Sequence, residues 1–229
     1  MAAAETIEAP APTEVSVLDR AEVVGRDSVA RLGHPGGHQR PTASQEVVAV
    51  VCGTLDQASA LTEQVGFDVV HRLRQMFFTL AEQEVQRYGG SLQFFGADSV
   101  LMLFGASAAA DHTHRAVRAA LDLQQRFQQY CSNAEMSLRD AATVRMGVHT
   151  GPVDVDSLAQ DPLITAPATG ETMHIAIWLQ YRAAPGTLLT SEATMQLVHD
   201  VVQGDVHGNV RLPGQSAPIT AYTIRGMQT

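Results

Sequence analysis

The chain has 229 residues, of which 45% are apolar and 5% aromatic, and its net charge is −9. This length holds one domain of ordinary size with a full core and an appendage. The acidic balance argues against a nucleic-acid or anionic-membrane surface, and because all fifteen basic residues are arginine, chemistry that needs a lysine ammonium from this chain is excluded.

Residues 1–44 are rich in Ala, Pro, Glu, Thr and Gly, with Pro10, Pro12, Pro35 and Pro41. Such a segment buries too little apolar surface to offset its ordering entropy, so a tail or linker is expected there, with a short docked piece within 14–32. The ordered domain is expected over 45–229. It opens with Glu46 to Cys52, a continuous β-branched run that predicts a strand buried on both faces. Asp56 to Tyr88 carries Leu61, Val65, Val69, Leu73, Met76, Phe77, Leu80 and Val85 on one helical stripe, and Gly66 divides it into two helices.

Gly89 to Gly105 predicts a hairpin: Ser91 to Phe95 alternates, Val100 to Phe104 is apolar, and Gly96-Ala97-Asp98-Ser99 is a tight connection. Asp98 at that connection has two readings. It shapes the turn by accepting backbone hydrogen bonds, or it is a ligand for a cation. Asp111 is placed to cap a helix over 116–130, and Val144 to Val148 predicts a strand running into His149-Thr150-Gly151. Residues 154–169, with Pro162 and Pro167, read as irregular. A helix over 171–181 stopped by Pro185-Gly186, a strand over 188–190, a helix capped by Ser191 and a closing hairpin over 201–224 complete the chain. This order predicts an α+β layer with helices largely on one face of the sheet. Cys52 and Cys131 fit buried thiols in a reducing compartment rather than a disulfide framework. No run approaches the ~20 apolar residues that span a bilayer, and no signal peptide is visible. A cytoplasmic chain without membrane insertion is expected.

Several stretches together resemble the class III adenylate/guanylate cyclases over residues 45–225. Gly89-Gly90, Phe94-Phe95-Gly96-Ala97-Asp98 and Phe104-Gly105 match the family's central hairpin. Arg115 to Leu121 (RAVRAAL) resembles its ERAVRAAL helix, Met146 to Gly151 its GIHTG strand end, and Pro185 to Thr194 its PGEILVSEAT segment. Val210 to Gly214, with Pro218 and Tyr222, resembles its closing VxLKGxxxPxxxY. The resemblance implies a ferredoxin-like cyclase catalytic-domain fold, a central, mostly antiparallel sheet with helices packed on it. It also implies head-to-tail dimers in which two carboxylates hold two metal ions that activate a hydroxyl and neutralise phosphate charge.

Carried over residue by residue, the resemblance places Thr54 where the first metal-binding Asp stands and Asp98 at the second. The base-reading pair falls on Phe94 and Pro167, neither of which offers a side-chain hydrogen bond to a purine edge. The transition-state Asn and Arg fall on His174 and Trp178, four apart and so on one helical face. Of these six positions only Asp98 keeps its family residue; Asp56, two residues after Thr54, is a conceivable substitute. Trp178 and Phe94 are expected to fill the former pocket as a closed apolar dimer contact. The other possibilities are a ligand site of His174, Glu171 and Trp178, and a transition-metal site built from His112, His114 and His149.

The expected function is that of a catalytically inactive cyclase-like domain, a pseudoenzyme that dimerises with itself or another cyclase-like domain, engages a further protein partner, and regulates or scaffolds. It takes no cofactor and binds no nucleic acid. The alternatives are a divergent adenylate or guanylate cyclase using Asp98, Asp56 and Mg²⁺ or Mn²⁺, and a nucleotide sensor without turnover whose backbone amides near Gly53 hold a phosphate.

Overall fold

The structure is a computed structural model that describes residues 45–94, 96–105, 111–134, 142–154, 170–212 and 217–228. The expected tail over 1–44, most of the irregular stretch over 154–169 with Pro167, and the side chain of Phe94 lie outside the described residues.

Seven strands form one sheet in the order β2-β3-β1-β4-β5-β7-β6. They are β1 (Gln45–Leu55), β2 (Ser91–Phe94), β3 (Ser99–Phe104), β4 (Val144–Asp154), β5 (Leu188–Ser191), β6 (Val202–Val210) and β7 (Ile219–Met227). All neighbouring pairs are antiparallel except β4 with β5. The sheet is therefore mostly antiparallel, as expected. A parallel pair requires a crossover, and the segment between β4 and β5 supplies one that contains a helix.

The helices are α1 (Ala58–Val65), α2 (Phe67–Tyr88), α3 (His112–Ala134), α4 (Glu171–Arg182) and α5 (Glu192–Val198). The break at Gly66 lies where the sequence places it: its φ of 87° is in the range that a residue with a side chain avoids, and its N–H closes α1 on the Thr62 carbonyl at 2.9 Å. Gly89 ends α2 in a left-handed conformation, and Arg115 donates to the carbonyls of Tyr88 and Gly89 at 2.7 and 3.2 Å. Asp111 stands at the expected cap position just before α3, where its carbonyl accepts from the Arg115 N–H at 2.9 Å, and its carboxylate also accepts from Arg115 Nε at 3.0 Å.

The unbroken apolar run of β1 has a simple cause: both of its faces are covered. Ala49, Val51 and Leu55 join the core built with α1, α2, α3 and α5, where Phe77 and Phe127 meet edge to face at 5.8 Å. Val48, Val50 and Cys52 point the other way, onto Met173 and Ala176 of α4. Four of the five described helices thus lie on one face, in line with the expected layer, and α4 alone covers the opposite side of the sheet. Its approach is close: a Cβ on Gly147 of β4 would stand 2.2 Å from the Ala176 carbonyl oxygen. A third apolar cluster joins Leu179 and Ala183 of α4 to Leu189, Val210 and Ala221.

Candidate functional site

The C-terminal end of β1 lies beside the beginnings of β3 and β4, because it runs antiparallel to both. Thr54 is opposite Ser99 on one side and Arg145 on the other. This arrangement brings Thr54, Asp98 and Asp56 to one end of the sheet, where the resemblance places the metal-binding carboxylates.

At that end Thr54, Asp98 and Asp56 each have a side-chain partner from the chain itself. Thr54 Oγ1 is 2.8 Å from Ser99 Oγ, a hydroxyl pair across the two strands. The Asp98 carboxylate accepts from Nε of Arg74, which α2 carries over the hairpin turn. Asp56 is nearly buried, and its carboxylate lies 2.6 Å from a terminal guanidinium nitrogen of Arg145. Gly53 sits inside the ladder opposite Val100 and Met146. The amides of Leu55 and Asp56 donate to the carbonyls of Asp98 and Thr143 at 2.9 and 2.8 Å. Those two N–H groups are thereby spent on closing the sheet end and are not aimed at a phosphate.

Asp98 has contacts that neither reading included: its backbone carbonyl accepts from the Leu55 N–H of β1 at 2.9 Å, and its carboxylate is bound to an arginine of the same chain. The sequence did not point to Arg74 or Arg145. The Arg74 and Asp98 contact spans 24 positions and depends on the hairpin folding back over α2, which no local spacing announces.

His174 and Trp178 lie on α4, as their spacing requires. His174 is exposed, whereas Trp178 is half-buried against its own chain. Its indole N–H donates to the Arg211 carbonyl at 3.0 Å, its ring stacks on Tyr181 at 5.5 Å, and the Arg182 guanidinium lies 5.5 Å from the ring centroid. Its N–H and part of its ring are thus committed to its own chain, at the end of β6. The remaining outer surface of α4 carries the exposed residues Glu171, His174 and Tyr181.

Two of the histidines raised as metal ligands, His149 and His114, have separate partners. His149 is buried with Nδ1 2.6 Å from Ser191 Oγ, and burial lowers its pKa to about 4. His114 Nε2 is 3.4 Å from an Asp200 carboxylate oxygen. Among the described residues no group of three or more His, Cys, Asp or Glu is placed to hold a metal ion. Cys52 and Cys131 are buried free thiols, as expected, and burial raises their pKa values to about 12 and about 11.

Comparison with known proteins supports the resemblance. No family model matches the chain. It is 28% identical over 198 residues to adenylate cyclase 1 of Rhizobium meliloti, an alignment covering 85% of this chain and 29% of that protein. The chain spans less than a third of the length of the curated relatives it matches. Among solved structures, the adenylyl cyclase CyaB of P. aeruginosa superposes with a TM-score of 0.67 at 19% identity, covering 81% of this chain and 96% of that one. The dimeric guanylyl cyclase domain of the RhoGC fusion protein of Blastocladiella emersonii gives a TM-score of 0.64 at 17% identity, with 81% and 100% coverage. The fold is that of the class III adenylate and guanylate cyclase catalytic domain, and the neighbours named above, one by sequence and two by structure, are cyclases. Among the described residues no helix is long and apolar enough to cross a membrane.

Proposed function

We propose that this chain is a cyclase-homology domain without cyclic-nucleotide synthesis, which pairs with itself or with another cyclase-type domain and serves as a regulatory or scaffolding module. The observation that carries the reading is the Thr54 and Ser99 hydroxyl pair at the end of β1. A two-metal mechanism needs ionised oxygen ligands there, and two neutral hydroxyls bonded to each other supply none. The other end of the chemistry agrees with this. Where a guanidinium would steady phosphate charge, Trp178 offers an indole whose N–H is already donated to Arg211. Loss of one such charge-stabilising group typically costs about 10²–10³ in rate, and losses at several positions compound.

Dimerisation is supported by the dimeric guanylyl cyclase domain that shares this fold. We place the domain in the cytoplasm, as one part of a longer signalling architecture of the kind that the length of its relatives suggests.

One observation favours the divergent cyclase as a second reading: Asp56 and Asp98 do lie at the same end of the sheet. Both, however, are held by arginines. The test is a cyclase assay of the purified chain with ATP and with GTP, in Mg²⁺ and in Mn²⁺, alongside sedimentation velocity. The proposal expects a dimer that forms no cyclic nucleotide. Cyclic nucleotide production that Asp98→Ala abolishes would establish the divergent cyclase instead.

A further inference from the structure

The metal ions that the fold family implies do not fit the residues at this end of the sheet. A hard divalent cation is held by several oxygen ligands with an excess of negative charge. Here two carboxylates, Asp98 and Asp56, face two guanidiniums, Arg74 and Arg145, and the four groups carry no net charge. The remaining oxygens, those of Thr54 and Ser99, are neutral and bonded to each other.

We propose that Arg74 is the resident cation of this site: its guanidinium occupies the Asp98 carboxylate in place of a divalent metal ion and makes the site independent of metal. This rests on the proposed function and deepens it, since it assigns a cause for the loss of metal chemistry beyond the missing first carboxylate. Three features support it. First, Arg74 is delivered by a rigid element, the 22-residue helix α2, whose neighbouring residues Leu73 and Phe77 are anchored in the main core. The guanidinium is thus carried on the scaffold and does not depend on a flexible loop. Second, both partners are shielded, with 22% and 27% of their side-chain surfaces accessible. Solvent and salt therefore screen this pair less than they would an exposed one. Third, Arg145 repeats the arrangement on the other side of β1. It lies opposite Thr54 in the ladder and takes Asp56, the one other carboxylate near enough in sequence to stand in for the missing ligand.

A tethered guanidinium differs from a bound ion in one useful respect. It cannot be lost by dilution or chelation, so the sheet end keeps its charge balance without reference to the metal supply.

The test uses the full chain and Mn²⁺ alone as the probe, with free Mn²⁺ followed by electron paramagnetic resonance at low ionic strength. Arg74→Gln retains a nitrogen donor at the level of the arginine Nε, the atom that meets Asp98, and removes the charge. It is expected to bind Mn²⁺ at least tenfold more tightly than the wild-type chain, and Asp98→Asn in that background should remove the gain. Arg74→Lys retains a cation and is expected to behave as wild type. The inference is overturned if Arg74→Gln binds no more tightly than wild type, or if the gain survives Asp98→Asn. Should Arg74→Gln fail to fold, the wild-type chain and its Asp98→Asn variant decide the matter between them. Equal, weak Mn²⁺ binding supports Arg74 as the occupant, and weaker binding by Asp98→Asn shows that the wild-type carboxylate is open to metal. The function and this inference fail separately. Nucleotide turnover without Asp98-dependent Mn²⁺ binding contradicts the function alone; Asp98-dependent Mn²⁺ binding by a wild-type chain that forms no cyclic nucleotide contradicts the role of Arg74 alone.

Discussion

His149 stands in a pocket of uncharged groups. Ser191 Oγ faces its Nδ1, and a Cβ on Gly151 would come within 3.2 Å of its Nε2. Burial therefore lowers its pKa to about 4 from an ordinary value of 6.5. The neutral ring is the form that the fold accepts, so its contribution to stability is fully present above pH 6.5 and is lost as pH falls from there toward 4. The shift corresponds to a loss on the order of 3 kcal/mol. Urea unfolding across this range should show the decline in wild type and a flatter profile in His149→Gln. The thiols give a second expectation at this scale. Cys52 and Cys131 are buried and held far from the thiolate form, so iodoacetamide should modify neither in the native protein at pH 7.5 and both once the chain is unfolded in urea. Burial of both thiols was expected from their number, too few for a disulfide framework, since the sequence around Cys131 is polar. The tethering of Trp178 was not, because its partner is a backbone carbonyl 33 positions away, and a main-chain acceptor leaves no mark on the sequence.

At the level of elements, hydrophobic periodicity located every helix and strand among the described residues, and tertiary pairing moved their ends. The β1 strand continues past Cys52 to Leu55 because Gly53, Thr54 and Leu55 are taken up by flanking strands; a glycine and a threonine after an apolar run suggest a strand end only when nothing pairs with them. The α4 helix illustrates what periodicity cannot show. Its inner face is plain in Met173, Ala176 and Leu179, yet the side of the sheet it covers is set by the crossover between β4 and β5. Gly147 is the position that lets it sit there, so Gly147→Ala should force α4 off the sheet. The substituted Cβ would meet Ala176 O at 2.2 Å and Gln180 N at 2.3 Å, backbone atoms that cannot rotate away. Overpacking of this kind costs about 1–3 kcal/mol or more, and a drop in the urea midpoint, with Gly105→Ala as the mild comparison, would measure it. The fully buried carboxylate of Glu84 is a different kind of fastening. It ties α2 to Arg126 of α3 and is not visible in the apolar stripe, since a Glu at a core-facing position reads as a break in the pattern until its arginine is known.

For the molecule as a whole, the resemblance and the geometry bear on separate questions. The fold was legible because scaffold motifs such as Gly89-Gly90 and Met146 to Gly151 are kept and serve packing: a Cβ on Gly90 would strike the Phe104 ring at 2.7 Å, and one on Gly151 would strike Thr172 at 2.6 Å. The site was legible only as a set of replaced positions. What the replacements do instead, pairing Thr54 with Ser99 and placing arginines on both aspartates, arises from contacts between distant elements. On the proposed reading, restoring one residue does not restore cyclase chemistry. Thr54→Asp should leave the chain without cyclase activity, because position 178 carries a tryptophan in place of the arginine that the resemblance places there and both nearby carboxylates are paired with arginines. Cyclic nucleotide formation by that variant would show that the missing carboxylate was the sole defect. The most direct test of the central claim is isothermal titration of the wild-type chain with non-hydrolysable ATP and GTP analogues in the presence of Mn²⁺. This account predicts no binding heat at micromolar concentrations of either nucleotide. Micromolar binding that disappears in Asp98→Asn would contradict it and show a working metal and nucleotide site.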